Sequence, residues 1–500
     1  MSARQAPQGS SLASAQAAMG RPSVALPSTF AQAGRVARAE IQRLVRDRTG
    51  VFALAIVIAL IAIALAITYQ RNAQLDAQQA AYTRHANADW NAQPERHPHR
   101  VVHFGDFVFK PQTALAAIDW GVESHAGRAL FLEGHRQNTA NFNEAGQSGA
   151  LLRFGQLTPA MAALQLLLLL LIFVGYAAVA SERQSGVLAA LLIGGARGRA
   201  VVFGKFAALF ALACLALSPL MLAVAAIAVA APAEAARAAL LLAVYLAYAA
   251  VWCASVVAVS SLARGAHTAL LLLLCLWIGW CVILPRAAPA LAAFAHPTPS
   301  RVETEIAAER ALAKVGDSHN PDDPYFAAFR ARTLARYGVR TVEELPVNYG
   351  GLVMLEGERL TSEIVEREVA RQAAAHDAQN RMVGDWMWIA PSLAAATASR
   401  ALAGTDTDHH RDFVAAAERR RYAMVQALNR LHADKIRHHN DRMQKLDATH
   451  WREIPREDYA MPPLRFALAR LQPAAVALLV WLALSIVVLA GCGRRLERGA

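Results

Sequence analysis

Residues 51–69 read Val51-Phe-Ala-Leu-Ala-Ile-Val-Ile-Ala-Leu-Ile-Ala-Ile-Ala-Leu-Ala-Ile-Thr-Tyr69. No charged side chain interrupts the run. At about 1.5 Å per residue, roughly 20 apolar residues bridge a bilayer core about 30 Å thick, so the run predicts a membrane-spanning helix. Five more runs meet the same test: 159–180, 206–231, 238–262, 268–284 and 474–493. None holds Asp, Glu, Lys, Arg or His in its interior. The composition agrees. Of the 500 residues, 18% are charged and 55% hydrophobic, against about 25% charged in a soluble domain. That balance excludes a disordered chain, a collagen-like chain and a small disulfide scaffold. The cysteines, Cys214, Cys253, Cys275, Cys281 and Cys492, all lie in the apolar runs. They leave no disulfide framework and no CxxC metal motif. The first run follows a mostly polar stretch and has no small-residue cleavage site behind it, so it reads as an anchor and not a signal peptide.

Lys and Arg in the short flanks set the direction of the spans. Arg35, Arg38, Arg43, Arg46 and Arg48 precede the first span, and Arg183, Arg197, Arg199 and Lys205 lie between the second and third. Arg264 lies between the fourth and fifth, and Arg494, Arg495 and Arg498 follow the sixth. All fall on one side if both termini are cytoplasmic. The expectation is a six-span protein of a bacterial inner membrane with a cytoplasmic tail at 494–500. Two polar stretches then lie outside: an extracytoplasmic segment at 70–158 and an extracytoplasmic domain at 285–473. The domain is nearly neutral, so the net charge of +12 sits largely in the cytoplasmic flanks. There it serves topology, and no nucleic-acid partner is expected.

Residues 1–30, rich in Ala, Ser, Gln and Pro without an apolar period, read as a disordered N-terminus. In 31–50, Ala37, Ile41, Leu44 and Val45 fall at helical spacing, with Arg38, Arg43, Arg46 and Arg48 on other faces. That is the pattern of an amphipathic helix in the membrane interface. The alternation Val101-Val-His-Phe-Gly-Asp-Phe-Val-Phe109 suits a strand, so 70–158 is expected to be mixed. Stretches 301–337, 358–382 and 408–446 carry i, i+3/i+4 apolar spacing and predict a mainly helical domain. Breakers at Pro321, Pro324, Pro346, Gly350-Gly351 and Pro391 separate its pieces, and Asp406 or Asp408 caps the last helix. The expected fold class is an all-α polytopic membrane protein, with six transmembrane helices, the helical domain and the smaller mixed segment.

The loop after the second span, 181–205, reads Ser181-Glu-Arg-Gln-Ser-Gly-Val-Leu-Ala-Ala-Leu-Leu-Ile-Gly-Gly-Ala-Arg-Gly-Arg-Ala-Val-Val-Phe-Gly-Lys205. An acidic-basic pair leaves the membrane, and Gly186 breaks the chain. Val187, Leu188, Leu191 and Leu192 then form an apolar half-turn pattern, and Gly204-Lys205 opens the next span. This predicts a short helix across the membrane face, suited to a groove on a soluble partner. The loop resembles the coupling region of the ABC type-2 permeases, the membrane subunits of type V ABC transporters. Their pattern is Glu-Arg, two residues, Gly-x-Leu, an apolar run, a small basic turn and Gly-Lys. Glu182, Arg183, Gly186, Leu188, Gly204 and Lys205 match it. Val187 stands where Thr is common, and Gly194-Gly195-Ala196 stands in a turn that often carries Ser and Pro.

A second set of motifs resembles a subgroup of these permeases with a large extracytoplasmic insertion of unknown function before the last span. The matching residues are His103-Phe-Gly, Phe109-Lys-Pro, Gly121-Val, Leu132-Glu-Gly-His-Arg-Gln137, Pro391-Ser-Leu, Ala403-Gly-Thr-Asp, His409-His-Arg-Asp-Phe413 and Ala417-Glu418. No ionisable residue inside a span offers a proton or ion relay. The nearest approach to a P-loop, Gly198…Gly204-Lys205, has five residues between its glycines instead of four, and Phe206 replaces the Mg²⁺-binding Ser/Thr. The resemblance therefore implies that ATP and Mg²⁺ bind a separate ABC ATPase subunit dimer and that force enters through the six matched residues. It also implies pairing with a second copy or a sister permease, export as the direction, and no cofactor on this chain. No G-x-S-x-G elbow supports an enzyme.

Fifteen of the sixteen histidines fall in the two outside stretches. Asp406, Asp408, His409 and His410 are the candidate metal ligands, since imidazole and carboxylate together suit Cu²⁺, Zn²⁺ or Ni²⁺. His97 and His99 form a second cluster. His432 and His439 are expected on one face of the last helix. Two alternative functions follow: a sensor or scaffold passing ATPase-driven motion to a periplasmic partner, and a metal-linked transport system.

Overall fold

The structure, a computed structural model, describes residues 28–134, 157–316, 320 and 323–498. Most of the expected disordered N-terminus and the His135-Arg-Gln137 motif residues lie outside them. Helix α1 (Thr29–Arg46) starts at Ser28, whose hydroxyl accepts from the Ala31 N–H. Asp47 ends α1 and caps α2 (Arg48–Asn91). The apolar run stops at Tyr69 but α2 does not. Residues 70–91 contain no Gly or Pro, so the helix carries on as a stalk until Pro94. The alternation at Val101–Phe109 resolves into a short helix, α3 (Pro98–Val102), and then a strand. Strand β1 (Asp106–Phe109) pairs antiparallel with β2 (Ala129–Leu132), Phe107 opposite Phe131.

The second span runs through a π turn at Ala162–Leu166 into α4 (Leu167–Gly175). Two short helices follow, α5 (Ala180–Gln184) and α6 (Val187–Ile193). The expected third span is two helices, α7 (Gly198–Ala216) and α8 (Ser218–Ala230). Pro219 has no N–H for the Leu215 carbonyl, and the helix breaks there. Next come α9 (Ala235–Leu262) and α10 (Ala266–Trp277). The fifth span does not end before Pro285 as expected. A π turn at Ile278–Ile283 precedes the proline and lets the helix continue as α11 (Leu284–Ala295).

The polar domain holds α12 (Arg301–Val315), α13 (Pro324–Tyr337), α14 (Tyr349–Asp385), α15 (Pro391–Ala403) and α16 (Thr407–Lys435). Helix α17 (Leu464–Arg498) closes the chain and starts well before its apolar run. Among the described residues, six helices are long and apolar enough to cross a membrane. With one two-stranded sheet among the described residues, the chain is an all-α polytopic membrane protein.

Helix α9 is the centre of the bundle: two thirds of its most apolar window is buried, 67% against 17% for the equally apolar span that includes α10. Lipid is as apolar as leucine, so burial there reflects packing and hydrogen bonding more than a hydrophobic drive. Helix α15 departs most from expectation. Pro391 reads in the sequence only as a breaker inside an outside domain. Instead, Leu393, Ala394, Ala395, Ala398 and Leu402 join the same core as α9 and α17. Its alanines permit close backbone approach, and polar bonds lock it in place. Tyr245 Oη and Ser399 Oγ lie 2.7 Å apart, Ser399 donates to Asp119 Oδ2 at 2.5 Å, and Trp481 Nε1 donates to the Met387 carbonyl at 3.2 Å. A separate core of Trp90, Val102, Val108, Leu130, Phe413 and Trp451 joins the two polar stretches.

Candidate functional site

The 181–205 loop folds as the half-turn pattern demands. Gly186 takes left-handed backbone (φ 78°) between α5 and α6, a conformation that suits glycine because it lacks a Cβ. Leu188 turns inward and joins the main core, while Val187, Leu191 and Ile193 are exposed. The short helix thus presents an unpartnered apolar face. Arg183 turns the other way. Its guanidinium donates to the Ala263 carbonyl at 2.5 Å and to the Ser261 carbonyl, satisfying orphan groups at the C-terminus of α9. Gln184 Oε1 accepts from the Ala266 N–H at 3.2 Å, at the start of α10.

Glu182 and Lys205 meet. Lys205 Nζ lies 2.7 Å from Glu182 Oε1 and 2.9 Å from Glu40 Oε2. The lysine side chain is only 3% exposed. Glu40 in turn accepts from Arg43 Nη2 at 2.6 Å. Burial pushes the Glu40 carboxyl up, but the Arg43 bond and the Lys205 charge outweigh it and hold the group below its ordinary range. Glu40 is not marked by the apolar and basic spacing of α1. Glu40 and Asp47 are the two acids among the five arginines of 35–48. Lys205 lies inside α7 and is held by two carboxylates, so the Gly198–Lys205 stretch forms no phosphate cradle.

Glycine lets α1 approach α7. A Cβ on Gly204 would lie 2.6 Å from Val36 Cβ and 2.7 Å from the Ala33 carbonyl oxygen. Gln32 completes the contact, donating to the Gly195 carbonyl at 3.2 Å and accepting from the Arg197 N–H at 2.9 Å. All six matched residues therefore touch or adjoin one assembly of α1, α5, α6, α7 and the C-terminus of α9. An open cleft of about 570 Å³ lies between α1 and the 182–205 element, lined by Arg35, Glu40, Glu182, Leu191 and Lys205 among others.

The four candidate metal ligands do not converge. Asp406 caps α16, accepting from the His409 N–H at 2.8 Å and lying 2.7 Å from His409 Nδ1. Asp408 pairs with Arg470 at 3.2 Å and with Arg411 at 3.5 Å. His410 is half-buried near Lys110; desolvation first and that charge second push it down to about 4. Helix α16 ends at Lys435, so His439 shares no helix face with His432. The loop beyond folds back instead. It gathers the one group of three such ligand types among the described residues: His97, His432 and Asp441, with ligand atoms within 4.8 Å of one another. Contrary to the expectation that no histidine pair has i, i+4 spacing, His99 and His103 stand four residues apart and bring their Nε2 atoms to 3.3 Å.

No curated protein and no solved structure matches the chain. Two family models do. A domain of unknown function, DUF3526, matches residues 301–460, the region that holds α12 to α16. The model described as ABC-2 family transporter protein matches residues 35–342, more than half of the chain, from α1 through the 181–205 loop and five spans into the polar domain. The chain is therefore an ABC transporter permease of the ABC-2 family with an added domain, and belongs to the proteins of transmembrane transport.

Proposed function

We propose that this permease is an exporter subunit of a bacterial inner membrane. Its termini and the 181–205 element face the cytoplasm, and the 70–158 and 285–473 stretches lie outside. It works with a second permease above an ABC ATPase dimer that holds ATP and Mg²⁺. The observation that carries this reading is the bridge from Lys205 to both Glu182 and Glu40, set behind an exposed apolar face. A push on α6 would pass through Glu182 and Lys205 to α7 and α1, and through Arg183 to α9. No nucleotide chemistry is assigned to the chain itself.

The test is purification of the tagged chain from its native host in mild detergent, with crosslinking and mass spectrometry. A stoichiometric P-loop ATPase is expected; its absence under crosslinking would defeat the reading. In the purified complex, Glu182→Ala and Gly186→Trp should uncouple ATP hydrolysis from transport while membrane insertion persists. Full coupling in both variants would refute the assignment of the element. A sensor or scaffold would instead hydrolyse ATP without moving cargo and retain a periplasmic partner on 285–473.

A further inference from the structure

His97, His432 and Asp441 reach one another from separate parts of the chain. His97 caps the first turn of α3 in the stretch after α2. His432 lies in the last turn of α16, and Asp441 in the loop beyond it. That loop is built to return. Asn440 takes left-handed backbone (φ 56°). Gln444 ties the loop shut, accepting from the Arg437 N–H at 2.9 Å and donating to the carbonyls of Arg437 and His439 at 2.7 and 2.9 Å. Asp441 Oδ1 then sits 2.9 Å from His97 Nε2, and Oδ2 sits 3.0 Å from His432 Nε2.

The surroundings fix all three. His97 and His432 are 7% and 6% exposed, and their rings meet edge to face with centroids 4.6 Å apart. The Leu446 N–H donates to the Arg96 carbonyl at 3.0 Å, pinning the backbone beside the cluster. Buried Asn348 donates from Nδ2 to Asp441 Oδ2 at 2.8 Å, the outer-shell bond that orients a ligating carboxylate. Gly350 leaves the flank of the cluster without a side chain; a Cβ there would lie 3.4 Å from Asp441 Oδ2.

We propose that His97, His432 and Asp441 bind one divalent first-row transition ion, Zn²⁺ being the best match, and that the ion staples the 70–158 stretch to the 285–473 domain. Two imidazoles and a carboxylate form an established three-ligand set for such ions, with water completing the shell. Tetrahedral ligation at about 2.0–2.1 Å separates ligand atoms by roughly 3.3 Å; the two nitrogen–oxygen pairs, at 2.9 and 3.0 Å, need to open by a few tenths of an ångström, and the whole set already lies within 4.8 Å. Without metal, both rings donate from Nε2 to the carboxylate. On ligation each ring proton moves to Nδ1 and Nε2 presents its lone pair. His432 Nδ1 makes no hydrogen bond that would oppose the switch. His97 gives up one long bond, the 3.2 Å contact from the His99 N–H to its Nδ1. The staple holds whichever side of the membrane the two stretches face.

The test uses the full chain in detergent, carrying an affinity tag without histidine, stripped by chelator and titrated with Zn²⁺ and with Co²⁺. One saturable equivalent per chain is expected, with Co²⁺ ligand-field absorption and a rise in unfolding temperature on adding Zn²⁺. His432→Gln keeps an amide donor for Asp441 but removes the ligand; it and Asp441→Asn should lose the equivalent and the Co²⁺ spectrum while eluting as folded protein. His439→Ala should bind as wild type, and Asn348→Ala about 10–100-fold more weakly. Absence of saturable binding to the wild-type chain would overturn the proposal and leave the triad an ion-free clamp. Undiminished binding in His432→Gln and Asp441→Asn would overturn it by placing the metal elsewhere.

Discussion

Two buried cations, each shared by two carboxylates, anchor opposite regions of this permease, and they are held in different ways. Arg421 in the polar domain binds Glu418 through Nε at 2.8 Å and Nη2 at 2.7 Å, and Glu358 through Nη1 at 2.7 Å. Ser362 Oγ and the Glu133 carbonyl accept from it at 3.0 and 3.3 Å. The planar fork spends its donors in one fixed arrangement. Lys205 holds Glu40 and Glu182 with a point charge on a flexible stem. Glu182 is 23% exposed, and its Oε2 has no hydrogen-bond partner. One hub is saturated and one is not. The unsaturated hub sits where the partner ATPase is proposed to push, and an ion pair that can let go is what a moving joint requires.

The largest expected effect tests the saturated hub. Arg421→Ala deprives buried Glu358 of its guanidinium and should cost about 3–5 kcal/mol, read as a lowered unfolding temperature and early proteolysis of the domain. Arg421→Lys should recover only part, since an ammonium cannot reproduce the bidentate Glu418 contact. Full recovery would erase the contrast. Lys205→Met should cost less, about 1–3 kcal/mol, because Glu182 can turn to water, yet it should abolish ATPase-coupled transport. A variant as unstable as Arg421→Ala would make Lys205 a static hub as well.

Gly204→Ala sharpens the point by leaving every charge in place. The new methyl parts α1 from α7, pressing on Val36 Cβ and the Ala33 carbonyl, and should cost about 1–3 kcal/mol, with coupling weakened but present. The smallest effect is in pH. His410 stays neutral in the folded chain down to about 4, whereas a free imidazole titrates near 6.5. The unfolded chain therefore binds more protons between those values, and stability falls as pH drops through that window. His410→Gln should flatten the unfolding-temperature profile there. Glu40 behaves in the opposite sense to a raised group: its depressed value adds stability above the carboxylate range, lost only as pH falls through its folded value. Mild acid should thus loosen the domain before the Lys205 hub.

The six matched residues of the 181–205 loop were legible because their signals are local. Gly186 takes the left-handed backbone that suits glycine, and a Leu188/Leu192 spacing makes one apolar face. Glu40 was not legible in the same way, because its partner Lys205 lies 165 residues away and nothing in the amphipathic spacing of α1 names it. The metal candidates misled for a related reason. Asp406, Asp408, His409 and His410 are close in sequence, but a helix turns successive residues about 100° apart, so His410 and Asp408 face different neighbours. The group that does converge joins His97 to Asp441 across 344 residues.

The apolar runs alone determined that the chain crosses a membrane and roughly where, since transfer into hydrocarbon depends on each segment's own side chains. The alternation of turn and apolar residues alone determined the short helix α6. Only the tertiary structure decided that α9 is enclosed while the α10 span is open, that α15 packs into the bundle, and which charges pair. Those outcomes depend on which surfaces meet after the chain has folded, and lipid offers no hydrophobic gradient by which the sequence of a span could announce its neighbour.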